Sequence, residues 1–299
     1  MKPAWLGIPE RSSLFWLRAI IWIALRLGRS VARLLLYPIT AYFMLFSNRT
    51  GSASRAYLGR VLGREAGLAD RFRHYHTFAC TLLDRVYVMV GQDNRLDIRV
   101  HGLEVLENYA GSGRACLLVG AHLGSFEIVR AVGMARRGLR IKALIYGQAT
   151  PLIAGLYRKL NPALHEDIID MGSPTSLLGL DQHVAAGGML ALLGDRSVHG
   201  DKRVSCRFLG EPALFPQAPV HLARILELPL VLFVCLHRGW GRYEVYFESL
   251  AESPPSGPRG QPEAEIHEIM QRYAGRLEHY CRLAPYNWFN FHDFWRTED

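Results

Sequence analysis

The sequence predicts an α/β fold: a mixed, largely parallel sheet covered by helices on both faces, with a helical N-terminus that has the character of a membrane-binding segment. Beyond residue 110, short apolar runs alternate with helix-like stretches, which is typical of a sheet buried on both faces. The 299 residues are 49% hydrophobic and 21% charged, and this composition excludes an intrinsically disordered chain. The net charge of +8 is concentrated in the first 64 residues, which contain ten basic residues and a single acidic residue, Glu10.

The most apolar part of the N-terminus is the stretch Leu14–Phe46. Its longest uncharged run, Leu34–Asn48, has fifteen residues and contains a proline, so it is shorter than the ~20 residues that a membrane span needs. Arg18 and Arg26 stand among tryptophan and isoleucine, and arginines in such a helix reach lipid phosphates when the helix lies at the interface. We therefore predict that residues 1–50 form a membrane-associated helical segment. The alternative is an amphipathic helix that packs on the protein's own core.

The remaining residues, 51–299, are predicted to form one α/β domain. Residues 65–91 have helical periodicity, and Gly91 is expected to end that helix. The predicted strands are Arg114–Gly120, Arg140–Tyr146, Asp167–Met171, Met189–Leu193, Leu230–Leu236 and Tyr243–Phe247. The predicted helices are Ser125–Arg136, Ala149–Leu160, Ser173–Ala186 with Ser173 as its cap, Ala218–Leu226 and Pro262–Leu283.

Neither the basic residues nor the cysteines indicate a nucleic-acid or metal partner. The N-terminal arginines are embedded among aliphatic residues, so nucleic acid is not expected to bind. The five cysteines are scattered among apolar neighbours, which predicts small buried side chains in a reducing compartment. His74 and His76 lack carboxylates at ligand spacing, so an exposed helix face is favoured over a metal site. No cofactor is expected.

Two polar clusters directly follow predicted strands, where ligands of open α/β sheets gather. They are Gly120–Glu127, which reads GAHLGSFE, and Gly194–Arg196, which reads GDR. Twelve histidines in this chain give roughly one His-x4-acid match by chance, so the spacing alone decides little. The location of His122 in a strand-to-helix turn is what favours a functional role.

A paired histidine and carboxylate in this turn would make a general base. Residues five apart diverge by about 140° on a helix, so the side chains meet only if His122 precedes the helix and folds back over Glu127. The carboxylate would then hold Nδ1–H and leave Nε2 free to take a proton. The alternative is a helix-capping histidine with a solvent-facing glutamate.

The sequence offers this base no protein nucleophile. Gly124-Ser125-Phe126 lacks the second glycine of a G-x-S-x-G elbow, and Ser125 is better suited to cap the helix. A Walker A loop, a G-x-G-x-x-G loop after a strand and an H-E-x-x-H helix are also absent from the sequence. We therefore expect the base to act directly on a bound hydroxyl or amine beside a membrane.

The stretch GAHLGSFE resembles the H-x4-D/E motif of the lysophospholipid acyltransferase superfamily, and its form resembles the lipid A lauroyl/myristoyl acyltransferase branch. Arg158 falls where that branch has an arginine between its motifs, and Leu193–Arg196 resembles its strand-end aspartate motif. Val204–Pro219 resembles the branch's aromatic-Gly-x-Pro segment. Many members have Asn-Trp in place of Ser125-Phe126, and residues 286–295 are unusually aromatic here. A lipid A precursor, an amino-acid lipid and a polyene pigment therefore all remain possible acceptors.

The resemblance implies transfer of a fatty acyl chain from an acyl carrier protein or coenzyme A thioester to a hydroxyl or amine of a lipid acceptor. It places the reaction at the cytoplasmic face of the cell inner membrane. His122, oriented by Glu127, would deprotonate the acceptor, and backbone N–H groups near Gly124 and Ser125 would stabilise the oxyanion.

The resemblance also implies a role for two arginines. Arg158 and Arg196 would bind phosphates of the acceptor or donor, and Asp195 would order Arg196. The alternatives are a solvated helix charge for Arg158 and a structural ion pair for Asp195 and Arg196. For the whole chain, the alternatives are a lipid- or acyl-carrier-binding protein with a degenerate site and a hydrolase.

Overall fold

The computed structural model of the chain describes residues 14–46, 48–145, 167–172, 179–197, 201–253 and 262–295. A seven-stranded sheet in the order β1-β9-β8-β2-β5-β3-β4 forms its centre, and a two-stranded antiparallel hairpin, β6-β7, lies outside that sheet. The strands are β1 (Asp97–His101), β2 (Leu117–Gly120), β3 (Ile141–Ile145), β4 (Ile168–Asp170), β5 (Met189–Leu193), β6 (Arg203–Phe208), β7 (Glu211–Pro216), β8 (Leu230–His237) and β9 (Arg242–Ala251). Every pairing in the large sheet is parallel except β8 with β9.

Both faces of this sheet are buried because successive strand residues point to opposite sides. Leu230 and Leu232 of β8 join one core cluster, and Val231 and Phe233 join the other. The helices are α1 (Leu14–Leu27), α2 (Arg29–Phe46), α3 (Asn48–Leu62), α4 (Leu68–Met89), α5 (Leu103–Gly111), α6 (Phe126–Arg137), α7 (Leu180–Ala185), α8 (Ala218–Ile225) and α9 (Pro262–Leu283). Helices α8 and α9 cover the first face, and α5, α6 and the end of α4 cover the second.

The predicted mixed sheet with helices on both faces is therefore confirmed, with differences at its periphery. Strand β1, helix α5 and the β6-β7 hairpin are absent from the sequence prediction. Strand β1 is an edge strand with alternate residues exposed, and three of its five residues are Asp, Arg and His, so it lacks the apolar run that marks a buried strand. The predicted helix Ala149–Leu160 and the cap Ser173 lie outside the described residues; α7 begins at Leu180.

The helical N-terminus is confirmed, and its helices pack against α4. Ala24, Ala32 and Leu36 form a small core with the α4 residues Cys80, Leu83 and Tyr87. Within the described ranges, no single helix is long and apolar enough to cross a membrane, although the bent pair Arg29–Phe46 and Thr50–Leu62 together meets that test by length and composition. Contact with a membrane and the division at residue 50 remain predictions.

A buried ion pair attaches the start of α2 to α4. The Arg29 guanidinium donates to both oxygens of Asp84, at 2.6 Å from Nε and 2.8 Å from Nη2. Tyr243 on β9 donates its hydroxyl to the same carboxylate at 2.8 Å. Asp84 therefore connects the N-terminal helices to the sheet. Because its carboxylate is fully buried, water cannot replace these partners.

Candidate active site

The two polar clusters meet at the carboxyl ends of β2 and β5. These strands are parallel neighbours, and Gly120 is in register with Leu193. His122 and Asp195 each stand two residues beyond those positions, so the strand pairing brings residues 73 apart in the chain into contact. This is the edge at which open α/β sheets bind ligands.

Asp195 holds His122 through both of its carboxylate oxygens. Oδ1 accepts a hydrogen bond from the ring Nδ1 at 2.8 Å, and Oδ2 accepts one from the backbone N–H of His122 at 3.0 Å. An ionised carboxylate only accepts hydrogen bonds, so Nδ1 carries the proton and Nε2 keeps its lone pair. The Asp195 side chain is 1% exposed and that of His122 is 30% exposed, so the imidazole is accessible while its partner is not.

The surroundings keep these two groups in the charge states that a base needs at neutral pH. Burial opposes the ionisation of Asp195, but the interactions with His122, Arg196 and Trp288 outweigh it and lower the pKa of the carboxyl below its ordinary value. Burial and the positive charge of Arg196 lower the pKa of His122, despite the raising effect of Asp195. A neutral imidazole therefore stands beside an ionised carboxylate.

Glu127 has a different partner from the one expected. Its Oε2 forms an ion pair with Nε of Arg85 on α4 at 2.9 Å and accepts a weak 3.5 Å hydrogen bond from the Ser125 hydroxyl. The predicted hydrogen bond from His122 to Glu127 is absent from the structure, because Nδ1 of His122 donates to Asp195 instead. The physical reason is the turn: it directs His122 toward β5, while Glu127 lies in the first turn of α6 and reaches α4.

The turn between them is held tightly by backbone contacts. Gly124 has φ +76°, and a Cβ at that position would collide with the carbonyl of Cys235, so glycine is required there. Its N–H donates to the carbonyl of Asn287 at 2.9 Å, and the N–H of Ser125 donates to Cys235 at 3.3 Å. These two N–H groups were expected to stabilise an oxyanion, and that expectation is corrected because both already have carbonyl partners.

Arg196 is held by the C-terminal segment. Its Nη2 donates to the carbonyl of Phe289 at 3.0 Å, and its Nε is buried without a hydrogen-bond partner in the described part of the chain. The hydrogen bonds described for Asp195 go to His122 and Trp288, so the expected ordering of Arg196 by Asp195 is limited to the attraction between their charges. Arg158 lies outside the described residues.

Residues 286–291 contribute contacts to this site that were not predicted from the sequence. Trp288 donates its Nε1–H to Oδ2 of Asp195 at 2.9 Å, and the N–H of Phe289 donates to the carbonyl of His122 at 2.8 Å. Oδ1 of Asn287 accepts a hydrogen bond from the backbone N–H of His237 at 2.7 Å, and this bond holds the segment against the end of β8. The signal that could have found this segment was its unusual aromatic content.

The remaining candidates are structural. His74 is fully buried rather than on an exposed helix face, because its ring bridges the Ser54 hydroxyl and the Trp288 carbonyl. All five cysteines are buried and free, as predicted. Among the described residues, no group of three or more His, Cys, Asp or Glu side chains is arranged to hold a metal ion.

Comparison with known proteins bears on the chemistry of this site. No curated protein matches the chain. The family model described as bacterial lipid A biosynthesis acyltransferase matches residues 7–297, which includes the N-terminal helices, the His122 turn and the C-terminal segment. The chain therefore belongs to the bacterial lipid A biosynthesis acyltransferase family.

Proposed function

We propose that this protein transfers a fatty acyl chain from an acyl thioester to a hydroxyl or amine of a lipid A precursor or related lipid, with His122 as the general base. The observation that carries the proposal is the hydrogen bond between His122 and buried Asp195 in a chain of this acyltransferase family. It leaves a neutral Nε2 on a partly exposed side chain at the edge of the sheet where substrates bind.

The reaction needs no covalent enzyme intermediate. Nε2 of His122 takes the proton of the acceptor hydroxyl, and the acceptor oxygen attacks the thioester carbonyl carbon. The resulting tetrahedral oxyanion collapses, the carbon–sulfur bond breaks, and the leaving thiolate takes the proton back from the imidazolium. Asp195 stabilises the imidazolium while it exists, as the buried carboxylate does in other His-Asp pairs.

Arginine side chains near the base supply positive charge for the anionic groups of the reaction. The positive charges of Arg196 and Arg85 both act on His122 and disfavour its protonated form. Their guanidinium groups are suited to a lipid phosphate or to the developing oxyanion. In this proposal Glu127 orients Arg85 rather than His122. Gly124 and Ser125 shape the turn against which the acceptor lies.

The donor is an acyl carrier protein or coenzyme A thioester, and Arg158 is retained as a candidate contact for phosphates. A labelled lauroyl thioester of each carrier, mixed with membranes that contain a lipid A precursor, distinguishes the two donors. The same assay separates acyl transfer from the competing possibilities, because a hydrolase releases free fatty acid and a binding protein leaves the thioester intact.

We further propose that α1 and α2 rest on the cytoplasmic face of the cell inner membrane. These helices expose an unusual number of large apolar side chains, and such patches mark interaction surfaces. We name this surface the N-terminal apolar face; it comprises Trp22, Leu25, Leu27, Val31, Leu34, Leu35, Tyr37, Tyr42, Leu45 and Phe46. Arginines of the same helices are suited to anionic headgroups.

Replacement of the base tests the proposed chemistry. His122→Ala should lower acyl transfer by roughly 10²-fold or more, which is the usual contribution of general base catalysis. His267→Ala, at an exposed position on α9, is the control and should retain wild-type transfer. Wild-type transfer by His122→Ala, with both proteins folded as judged by circular dichroism, would exclude His122 as the base.

A further inference from the structure

Trp288 contacts the buried carboxylate that holds His122. Its Nε1–H donates to Oδ2 of Asp195 at 2.9 Å, so that oxygen is shared between the indole and the backbone N–H of His122. The indole is fully buried and packs edge-on against Tyr57 and Phe208, with ring centroids at 4.9 and 5.2 Å. A fixed donor in a water-free site determines the direction in which the carboxylate points.

The backbone of Trp288 is in turn held by helix α4. Nε2 of His74 lies 2.8 Å from the Trp288 carbonyl oxygen, and Nδ1 lies 2.9 Å from the Ser54 hydroxyl oxygen. A carbonyl only accepts, so Nε2 carries the proton and Nδ1 accepts from Ser54. His74 and Ser54 are both fully buried, so no water competes for these bonds.

We propose that Trp288 is a positioning residue for the base: it fixes Asp195, and through Asp195 it directs Nε2 of His122 toward the acceptor. His74 sets the position of Trp288 itself. The inference rests on the proposed function, because orientation of Nε2 matters for turnover only if His122 is the base. Trp288 is separated from the substrate by Asp195 and acts through it.

The chain contains a matched control for this inference. Trp295 belongs to the same aromatic cluster, with its ring 6.1 Å from that of Trp288 and 5.8 Å from that of Phe208. Its Nε1 is buried without a hydrogen-bond partner in the part of the chain that the structure describes. Trp→Phe at either position removes similar volume from the cluster, but only the change at Trp288 removes a donor from Asp195.

The first experiment compares the two variants in the full-length protein, with the labelled lauroyl thioester that the wild type uses. Trp288→Phe should lower kcat about 10- to 100-fold, which is the range seen when an outer partner of a metal-bound ligand is removed, and should leave KM within about twofold. Trp295→Phe should stay near wild type. In the Asp195→Asn variant, adding Trp288→Phe should lower kcat by less than about threefold further, because the carboxylate that Trp288 contacts is already gone. Equal losses from both tryptophan variants, or multiplicative losses in the double variant, would overturn the positioning role.

The second experiment needs no substrate. Diethyl pyrocarbonate modifies neutral imidazole, so the pH midpoint of His122 modification, followed by peptide mass spectrometry, reports the protonation of its ring. Trp288→Phe should raise this midpoint, since Asp195 loses a competing donor and attracts the imidazole proton more strongly. Trp295→Phe should leave the midpoint unchanged, and the exposed His267 serves as the internal reference. The other charged or titratable groups that act on His122 are Arg196 and Arg85, with His292 nearby, and both variants retain them.

The two experiments separate failure of the function from failure of the inference. If the wild type transfers no acyl chain but the midpoints shift as expected, the proposed function fails and the positioning of His122 by Trp288 stands. If acyl transfer occurs and the two tryptophan variants have equal midpoints and equal kcat, the positioning role fails and the proposed function stands.

Discussion

Asp195 accepts two hydrogen bonds from His122: Oδ1 accepts one from the ring Nδ1–H, and Oδ2 accepts one from the backbone N–H. The carboxylate therefore fixes the tautomer of the imidazole and the position of the chain that carries it. Ring and backbone contacts together explain why a strand-end aspartate, rather than the glutamate of the same turn, orients this histidine.

Replacing Asp195 and Glu127, one at a time, by the corresponding amide distinguishes the roles of the two carboxylates. Asp195→Asn should lower kcat by roughly 10²- to 10⁴-fold, because an amide no longer fixes the productive tautomer or stabilises the imidazolium. Glu127→Gln should have a smaller effect on kcat and a larger one on KM, because it releases Arg85 rather than His122. Steady-state kinetics of the two variants checks this; a larger loss of kcat in Glu127→Gln would return the orienting role to Glu127.

The sequence predicted that His122 and Asp195 lie at the carboxyl edge of the sheet, but it did not predict the contacts that assemble this candidate site. His122 and Asp195 follow apolar strands, and that local pattern was enough to place both at the carboxyl edge of a sheet. The partner of Nδ1 depends on which strands are neighbours, and no local pattern reveals that β2 pairs with β5. Trp288 is more remote still, 93 residues from Asp195 and 214 from His74, so its contacts with them follow only from the tertiary packing.

The ion pair between Arg29 and Asp84 should be one of the most stability-sensitive contacts of the N-terminal helices. Arg29→Ala leaves a fully buried carboxylate whose remaining hydrogen-bond partner, among the residues that the structure describes, is the Tyr243 hydroxyl, and unpairing a buried charge costs about 3–5 kcal/mol. Arg282→Ala breaks a partly exposed pair with Glu278 and should cost less than about 1 kcal/mol. Urea unfolding of both variants provides the measurement.

The double variant Arg29→Ala with Asp84→Asn is the diagnostic control for this prediction. Removing the buried negative charge as well should restore part of the lost free energy of unfolding, because the main penalty is the unpaired charge. If the double variant is as unstable as the sum of the two single variants, the cost lies in packing and not in the charge.

Buried histidines should make the protein less stable in mild acid. Burial lowers the pKa of His74 to about 4 and that of His237 to about 4, against about 6.5 in an unfolded chain. Between these pH values the unfolded state binds protons that the folded state excludes. The contribution of the two neutral histidines to the free energy of unfolding is therefore fully present above pH 6.5 and is lost as the pH drops toward 4. Each histidine contributes a slope of about 1.4 kcal/mol per pH unit in that window.

Replacement of one buried histidine isolates its share of this slope. His74→Gln retains an N–H donor for the Trp288 carbonyl but does not titrate, so the loss of unfolding free energy between pH 6.5 and 4 should be shallower by about 1.4 kcal/mol per unit. The same change at the exposed His267 is the control for the effect of a His-to-Gln substitution itself. Equal slopes in wild type and His74→Gln would show that His74 does not resist protonation in the folded state.

The N-terminal apolar face should determine attachment to anionic membranes. Leu34 and Leu45 are 69% and 68% exposed, and Ile225 on α8 is 76% exposed but lies outside that face. The double variant Leu34→Asp with Leu45→Asp should lose most of its flotation with phosphatidylglycerol-containing vesicles, because charged side chains cannot enter the acyl region. Ile225→Asp makes the same kind of change at an equally exposed site and should float like the wild type. Equal flotation of all three proteins, or equal loss in both variants, would exclude α2 as the membrane-binding surface.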